Sequence, residues 1–352
     1  LDVSGSEARR LPLMRPACQD GVIISDGLLY WGPWMCDCNH SLVGVISLTA
    51  AGDFEFDREA IEGERLETLS AGTNNSPPLV AADWPTYRAN NQRTAATPVR
   101  VPDKLKLAWQ TTPRETIEPT APVAAAGLTV VAGSDGAVRA YDSATGKKHW
   151  VGDLMDKAEL PRPPEWGFAA SPLILGDRVI AEATFTCALD KKTGKEIWRS
   201  KVYKPAYGSP VSFQFKGRTY LATLKTDGLV ILDATNGKTI AFQDWRTSFR
   251  TNSTTPIIIG NKVFISTGYR RGCALFEFTG NSLKQIYTNK NLSNHMNNSV
   301  VLGKYLYGFD GNTHQAGPKE LVCMRLADGK VQWRVDGYRC GSLMAVQDRL
   351  LV

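Results

Sequence analysis

Apolar residues in this chain come in short runs, broken every few positions by Gly, Asn, Asp, Ser or Pro. Pro256-Ile257-Ile258-Ile259 is among the longest runs, and it is strand-sized. No stretch approaches the ~18–20 uninterrupted apolar residues of a membrane-spanning helix. The segments alternate or run apolar over strand lengths and show no 3.6-residue period, which predicts an all-β chain.

One turn recurs. It reads Tyr141-Asp142-Ser143-Ala144-Thr145-Gly146-Lys147-Lys148-His149-Trp150, then Leu189-Asp190-Lys191-Lys192-Thr193-Gly194-Lys195-Glu196-Ile197-Trp198. A third copy, Leu232-Asp233-Ala234-Thr235-Asn236-Gly237-Lys238, has Ala241 where Trp would fall. A fourth, Leu326-Ala327-Asp328-Gly329-Lys330-Val331-Gln332-Trp333, has Arg325 at the leading Asp. The Asp side chain starts the turn by bonding the backbone two residues on. The Gly supplies a positive φ, and the Trp enters the next strand, where its large surface is buried.

The spacing makes this a repeat. Gly146 to Gly194 is 48 residues, and Gly194 to Gly237 is 43. A degenerate copy at Gly280 follows after 43, and Gly329 after 49. Four short strands need about 40–50 residues, so each repeat predicts one blade of a β-propeller. A second marker keeps phase: a small residue opens each unit, as in Ser171-Pro172-Leu173, Ser209-Pro210-Val211, Thr255-Pro256-Ile257, Asn298-Ser299-Val300 and Gly341-Ser342-Leu343.

Residues 21–31 read as strand–turn–strand and 42–48 as a third strand. Residues 57–69 predict a short helix and 70–78 a linker, while Leu107-Ala108-Trp109-Gln110 predicts the outer strand of a broken blade. The expected organisation is an N-terminal blade with its extension over 1–79 and propeller blades over 80–352. About eight blades are expected, with seven as the alternative. Closure pairs an N-terminal segment with the stub at 340–352, because open strand edges aggregate.

Charge adds little. The chain has 352 residues, 41 Lys and Arg against 35 Asp and Glu, and a net charge of +6. The basic residues are scattered, so no nucleic-acid partner is expected. Seven cysteines do not form a disulfide framework. Cys36-Asp37-Cys38-Asn39-His40 lacks the Cys-x-x-Cys-His spacing of c-type haem. A disulfide from Cys18 to Cys36 or Cys38 is favoured over a zinc site, and no metal is expected.

The Asp-x-x-Thr-Gly-Lys-x-x-Trp turns resemble PQQ-like repeats, the units of quinoprotein alcohol dehydrogenases and of BamB-like propeller proteins. Asp83-Trp84-Pro85-Thr86-Tyr87-Arg88 and Ile265-Ser266-Thr267-Gly268-Tyr269 are similar to BamB-like chains. The resemblance spans most of the chain from Asp83 onward and, more weakly, residues 18–56. It implies either of two functions: a non-catalytic scaffold for a protein or peptide in the periplasm or cell envelope, or a dehydrogenase holding PQQ and calcium on the ring axis. The dehydrogenase machinery includes a disulfide between adjacent cysteines, and no two cysteines are adjacent here. The expectation is therefore a non-catalytic scaffold without a cofactor; a monomer is expected.

Asp142, Gly146, Trp150, Asp190, Gly194, Trp198, Asp233, Gly237, Gly329 and Trp333 are expected to build the repeat. Polar loops before the inner strands are the candidate binding surface, since ligands favour loops on rigid scaffolds. The residues are Arg250, Asn252 and Thr254 in one loop, His295 and Asn298 in the next, and Asp310 and His314 in a third.

Overall fold

The computed structural model describes residues 22–25, 28–31, 46–48, 83–96, 107–111, 117–158, 163–164, 167–317, 319–346 and 349–352. The predicted helix at 57–69, the linker at 70–78, and Cys18, Cys36, Cys38 and His40 lie outside these residues.

Three strands open the chain: β1 (Val22–Ser25), β2 (Leu28–Trp31) and β3 (Ile46–Leu48), paired as one antiparallel sheet. Five four-stranded antiparallel meanders follow. The first holds β4 (Val123–Ala125), β5 (Leu128–Ala132), β6 (Ala137–Asp142) and β7 (Lys148–Asp153). The second holds β8 (Leu173–Leu175), β9 (Arg178–Glu182), β10 (Thr186–Asp190) and β11 (Glu196–Arg199). The third holds β12 (Val211–Phe215), β13 (Arg218–Lys225), β14 (Gly228–Asp233) and β15 (Thr239–Asp244). The fourth holds β16 (Ile257–Ile259), β17 (Lys262–Thr267), β18 (Gly272–Phe278) and β19 (Leu283–Asn289). The fifth holds β20 (Val300–Leu302), β21 (Tyr305–Asp310), β22 (Glu320–Arg325) and β23 (Val331–Val335). A two-stranded sheet, β24 (Met344–Val346) and β25 (Arg349–Leu351), ends it.

These are propeller blades, packed face to face. The middle strands are buried on both sides, and all six residues of β14 are buried. The outer strands alternate: in β7 only Trp150 and Gly152 are buried. One apolar cluster joins the first and second blades through Val130, Ala140, Val179 and Cys187. Another joins the fourth and fifth through Phe264, Leu275, Leu306 and Val322.

The repeat turn has the expected chemistry. Asp190 Oδ1 accepts from the backbone N–H groups of Lys192 and Thr193 and from Thr193 Oγ1, at 3.1, 2.8 and 2.7 Å. Asp142 repeats this with Ala144 and Thr145. At the fourth copy the pairing is reversed: Arg325 grips Asp328 through Nε and Nη2.

Every four-stranded blade also carries a bulge where its third and fourth strands pair. The shift falls between Ala140 and Tyr141, Ala188 and Leu189, Ile231 and Leu232, Leu275 and Phe276, and Cys323 and Met324. A bulge re-aims the residue beside it. That residue is Trp150, Trp198, Ala241, Tyr287 or Trp333. Trp150 lands on Gly194 and Trp198 on Gly237 of the following blade. Tyr287, in the Trp place, lands on Gly329. Where Ala241 leaves the place empty, Phe215 meets Gly280 instead. Residues 107–111 form no strand, yet Trp109 docks on Gly146 and its Nε1 donates to the Ser143 carbonyl at 2.9 Å.

The small residues that open the second to fifth blades form a belt. The Ser171 N–H donates to Ser209 Oγ at 2.9 Å, the Ser209 N–H to Thr255 Oγ1 at 2.9 Å, and the Thr255 N–H to Asn298 Oδ1 at 3.1 Å. Each side chain thus satisfies a buried backbone donor of the blade before it.

A strap formed by residues 83–96 crosses the innermost strands. Trp84 pairs with Ala124, and the Pro85 carbonyl accepts from the Ile174 N–H. Asn91 Nδ2 donates to the Ser212 carbonyl. The Asn91, Gln92 and Thr94 carbonyls accept from the N–H groups of Ile258, Val301 and Ala345. These partners are the central residues of β4, β8, β16, β20 and β24 and the second residue of β12, so the strap meets six consecutive blades at their inner edges.

Candidate functional site

In a meander, connections between first and second and between third and fourth strands leave at one end of the blade. The remaining connections, including the blade-to-blade links, leave at the other. The Asp–Gly turns occupy the first end. All seven candidate binding residues lie at the second.

The structure sorts them into two groups. Asn252, Thr254 and Asn298 are buried. Asn252 Nδ2 donates to the carbonyls of Lys225, Thr226 and Trp245, at 2.8, 3.3 and 3.0 Å. Thr254 Oγ1 donates to the Ser266 carbonyl at 2.5 Å. Asn298 belongs to the belt. Asp310 accepts from the Ser293 N–H at 2.8 Å and from Arg334 Nη1 at 3.0 Å, which ties two blade connections together.

His295 and His314 come together, with ring centroids 5.6 Å apart. His295 also meets Tyr269 edge-on at 5.0 Å, and Tyr269 meets Phe249 at 4.6 Å. The row Phe249–Tyr269–His295–His314 is drawn from four successive loops. His295 Nδ1 lies 2.8 Å from Thr313 Oγ1 and Nε2 lies 3.0 Å from Tyr269 Oη. Burial, with His314 adding to it, pushes the His295 imidazolium down to about 4, so the ring is neutral near pH 7. One nitrogen donates and the other accepts, and the hydroxyls complement either tautomer. Phe249 at the head of the row is 63% exposed. Arg250 follows it, exposed, with φ +54°.

A groove of about 610 Å³ lies at the same end, between the second and third blades. Lys201, Val202, Tyr203, Lys204, Phe242 and Arg246 line its wall, and Lys225 and Thr184 its floor. Lys225 is 2% exposed and is paired with Glu182, itself also bonded by Thr186 Oγ1 at 2.9 Å. Val202 is 72% exposed.

Of the residues gathered here, the sequence reading named Arg250, His295 and His314 as candidates, but not Phe249, Tyr269 or the groove. Tyr269 falls in a family motif, so nothing local marked it as a site residue. The groove comes from loops far apart in the chain.

Calcium takes six to eight oxygen ligands, several of them carboxylates. Among the described residues no three His, Cys, Asp or Glu side chains gather to hold a metal. The buried carboxylates of Glu182 and Asp233 are held by Lys225 and Arg218. Among the described residues, both buried carboxylates are thus already engaged by cationic side chains.

The blades, the bulged Trp positions and the Asp–Gly turns define a β-propeller of PQQ-like repeats. The family model described as outer membrane protein assembly factor BamB matches residues 106–335, well over half of the sequence, and the chain belongs to this family. Among solved structures, it is similar to BamB from Moraxella catarrhalis, with 20% identity and a TM-score of 0.45 over 60% of each chain. It is also similar to quinohemoprotein alcohol dehydrogenase from Comamonas testosteroni, with 16% identity and a TM-score of 0.49 over 72% of this chain and 49% of that one. The computationally designed Ika8 protein matches at 11% identity with a TM-score of 0.48, covering 67% and 68%. The chain thus spans 60% of the BamB structure and about half of the dehydrogenase. A comparison with curated proteins gives no match. Among the described residues no helix is long and apolar enough to cross a membrane.

Proposed function

We propose that this propeller is a non-catalytic scaffold that binds a protein partner in the cell envelope through the end carrying Phe249. The observation that carries this is the ring row itself. Phe249 is a large exposed aromatic, backed by Tyr269, His295 and His314 and held on a rigid frame. Rigid, partly exposed aromatics are the usual anchors of protein interfaces. The groove beside it adds apolar surface at Val202 and Phe242 with a basic margin at Lys201, Lys204 and Arg246. Family membership supports a partner from outer-membrane protein assembly.

The test has two arms. A photo-crosslinking residue at position 249, expressed in a cell that carries the protein, is expected to trap a defined partner. The same residue at Lys147, in a turn at the opposite end, is expected to trap none. In the second arm the purified protein is mixed with PQQ and calcium and assayed for alcohol oxidation with an artificial electron acceptor. Oxidation above the cofactor blank overturns the reading, and so does equal crosslinking from the two ends.

A further inference from the structure

The strap carries two arginines that no carboxylate among the described residues answers. Arg88 is 9% exposed and Arg93 is fully buried. Arg93 Nη1 donates to Thr86 Oγ1 at 3.1 Å and to the Tyr87 carbonyl. Its Nε and Nη2 have no hydrogen-bond partner. Arg88 Nε donates to the Arg93 carbonyl at 3.2 Å, which brings the two side chains into one neighbourhood. Burial holds both guanidinium groups below their ordinary range, Arg93 down to about 9, and Arg88 adds to the effect on Arg93. The guanidinium is the most basic of side chains and carries its charge in proteins. The buried carboxylates of Glu182 and Asp233 are occupied elsewhere.

A buried cation without a counter-charge is strongly destabilising. Evolved folds rarely leave buried donors unpaired, and a bound ion is one of the few explanations for an exception. Here the two unpaired donors form one edge of the guanidinium. That Nε–Nη2 edge is the fork that takes a two-oxygen anion through parallel hydrogen bonds. The backbone is also strained around it, with φ of +58° at Arg88, +68° at Ala89, +60° at Arg93 and +57° at Ala95. Four non-glycine residues in this region within one short segment is an arrangement that ligand clamps share.

We propose that the strap is an anion site, in which the Nε–Nη2 fork of Arg93, with Arg88 beside it, holds a small free oxyanion of the sulfate or phosphate kind. The anion neutralises the strap where it meets the inner edges of six blades. It therefore couples ion binding to closure of the blades around the strap. Both donors are sealed from solvent, so the ion enters during folding or through movement of the strap, and exchange is slow.

Crystals of the wild-type protein grown in selenate test this directly. An anomalous selenium peak within hydrogen-bond distance of Arg93 Nε and Nη2 is expected. Density at that fork belonging to a carboxylate of the chain itself, or no peak there, overturns the proposal. In solution, sulfate is expected to raise the unfolding temperature by a saturable ~3 °C over sodium chloride at matched ionic strength. Arg93→Lys keeps the charge without the fork and is expected to lose the saturable part. An equal rise in both proteins, or an adventitious ion only, bound elsewhere, overturns it.

Discussion

The indole of Trp150 lies against Gly194 of the next blade, so closely that a Cβ on the glycine would sit 2.7 Å from its ring carbons. Trp150 Nε1 donates to the Lys191 carbonyl of the same turn at 2.8 Å. Gly194 is therefore constrained twice, by a φ of +69° and by the indole. Gly176 has a φ of +61° but nothing within 4 Å of its missing Cβ. Gly176→Ala is expected to cost about 1 kcal/mol, the cost of a side chain in the left-handed region. Gly194→Ala is expected to cost about 3 kcal/mol, because overpacking adds to it. Urea denaturation of the two variants decides, and equal losses would mean that the indole contact contributes nothing.

The belt makes a second prediction. Thr255 is buried, and its hydroxyl accepts the Ser209 N–H. Thr255→Val keeps the shape and removes the acceptor. Leaving one buried donor unpaired is expected to cost about 1–3 kcal/mol. Hydrogen exchange at the Ser209 amide is expected to accelerate more than at amides within the strands, and an unchanged rate there would refute the role given to Thr255.

Lys225 and Glu182 form a sealed ion pair beneath the groove. Removing one partner strands the other. Lys225→Met is expected to destabilise by about 3–5 kcal/mol, whereas the double variant Lys225→Met, Glu182→Leu recovers much of that loss. Thermal unfolding of the two variants is the measurement, and a double variant no better than the single one would contradict the pairing.

Acid is expected to act in two stages. The His295 value of about 4 lies below the ordinary 6.5. Between these values the unfolded chain holds a proton that the folded chain refuses. Stability therefore falls as pH drops from about 6.5 to about 4. Asp142, Asp190 and Asp328 are held below their ordinary value by hydrogen bonds from Thr145, Thr193 and Arg325, Asp328 down to about 2. The stability these turns give is complete above about pH 4 and is lost as pH falls below it, at the Asp328 turn through about 2. His295→Gln is expected to flatten the upper stage of a urea-midpoint profile against pH, and Asp328→Asn to weaken the lower one. A profile unchanged by His295→Gln would refute the buried, neutral ring.

Much of the blade was legible in the residues. Asp190, Thr193 and Gly194 act within six positions of one another, and local hydrogen bonding dictates their order. The strand pattern of β1 to β3 was equally plain, since short apolar runs and a Gly turn are local signals. Residues 107–110 read as an outer strand and form none; Trp109 still docks on Gly146, because that contact depends on the next blade rather than on a ladder of its own. The site was legible only in part. His295 and Arg250 stood out as polar residues before inner strands, but so did Asn252, Thr254 and Asn298, whose side chains serve buried backbone groups. Polarity in a loop does not distinguish a side chain facing solvent from one satisfying a carbonyl.

The sequence by itself determined the repeat, the turn chemistry and the all-β class, because each rests on contacts between near neighbours in the chain. Only the tertiary structure decided which blade each Trp packs on, which loops meet at Phe249 and Lys225, and that residues 83–96 cross the innermost strands. Those outcomes join positions far apart in the chain, from 43 residues for Glu182 and Lys225 to 121 for Asn91 and Ser212. Such contacts follow from how successive blades stack, which no local pattern of apolar and polar residues records.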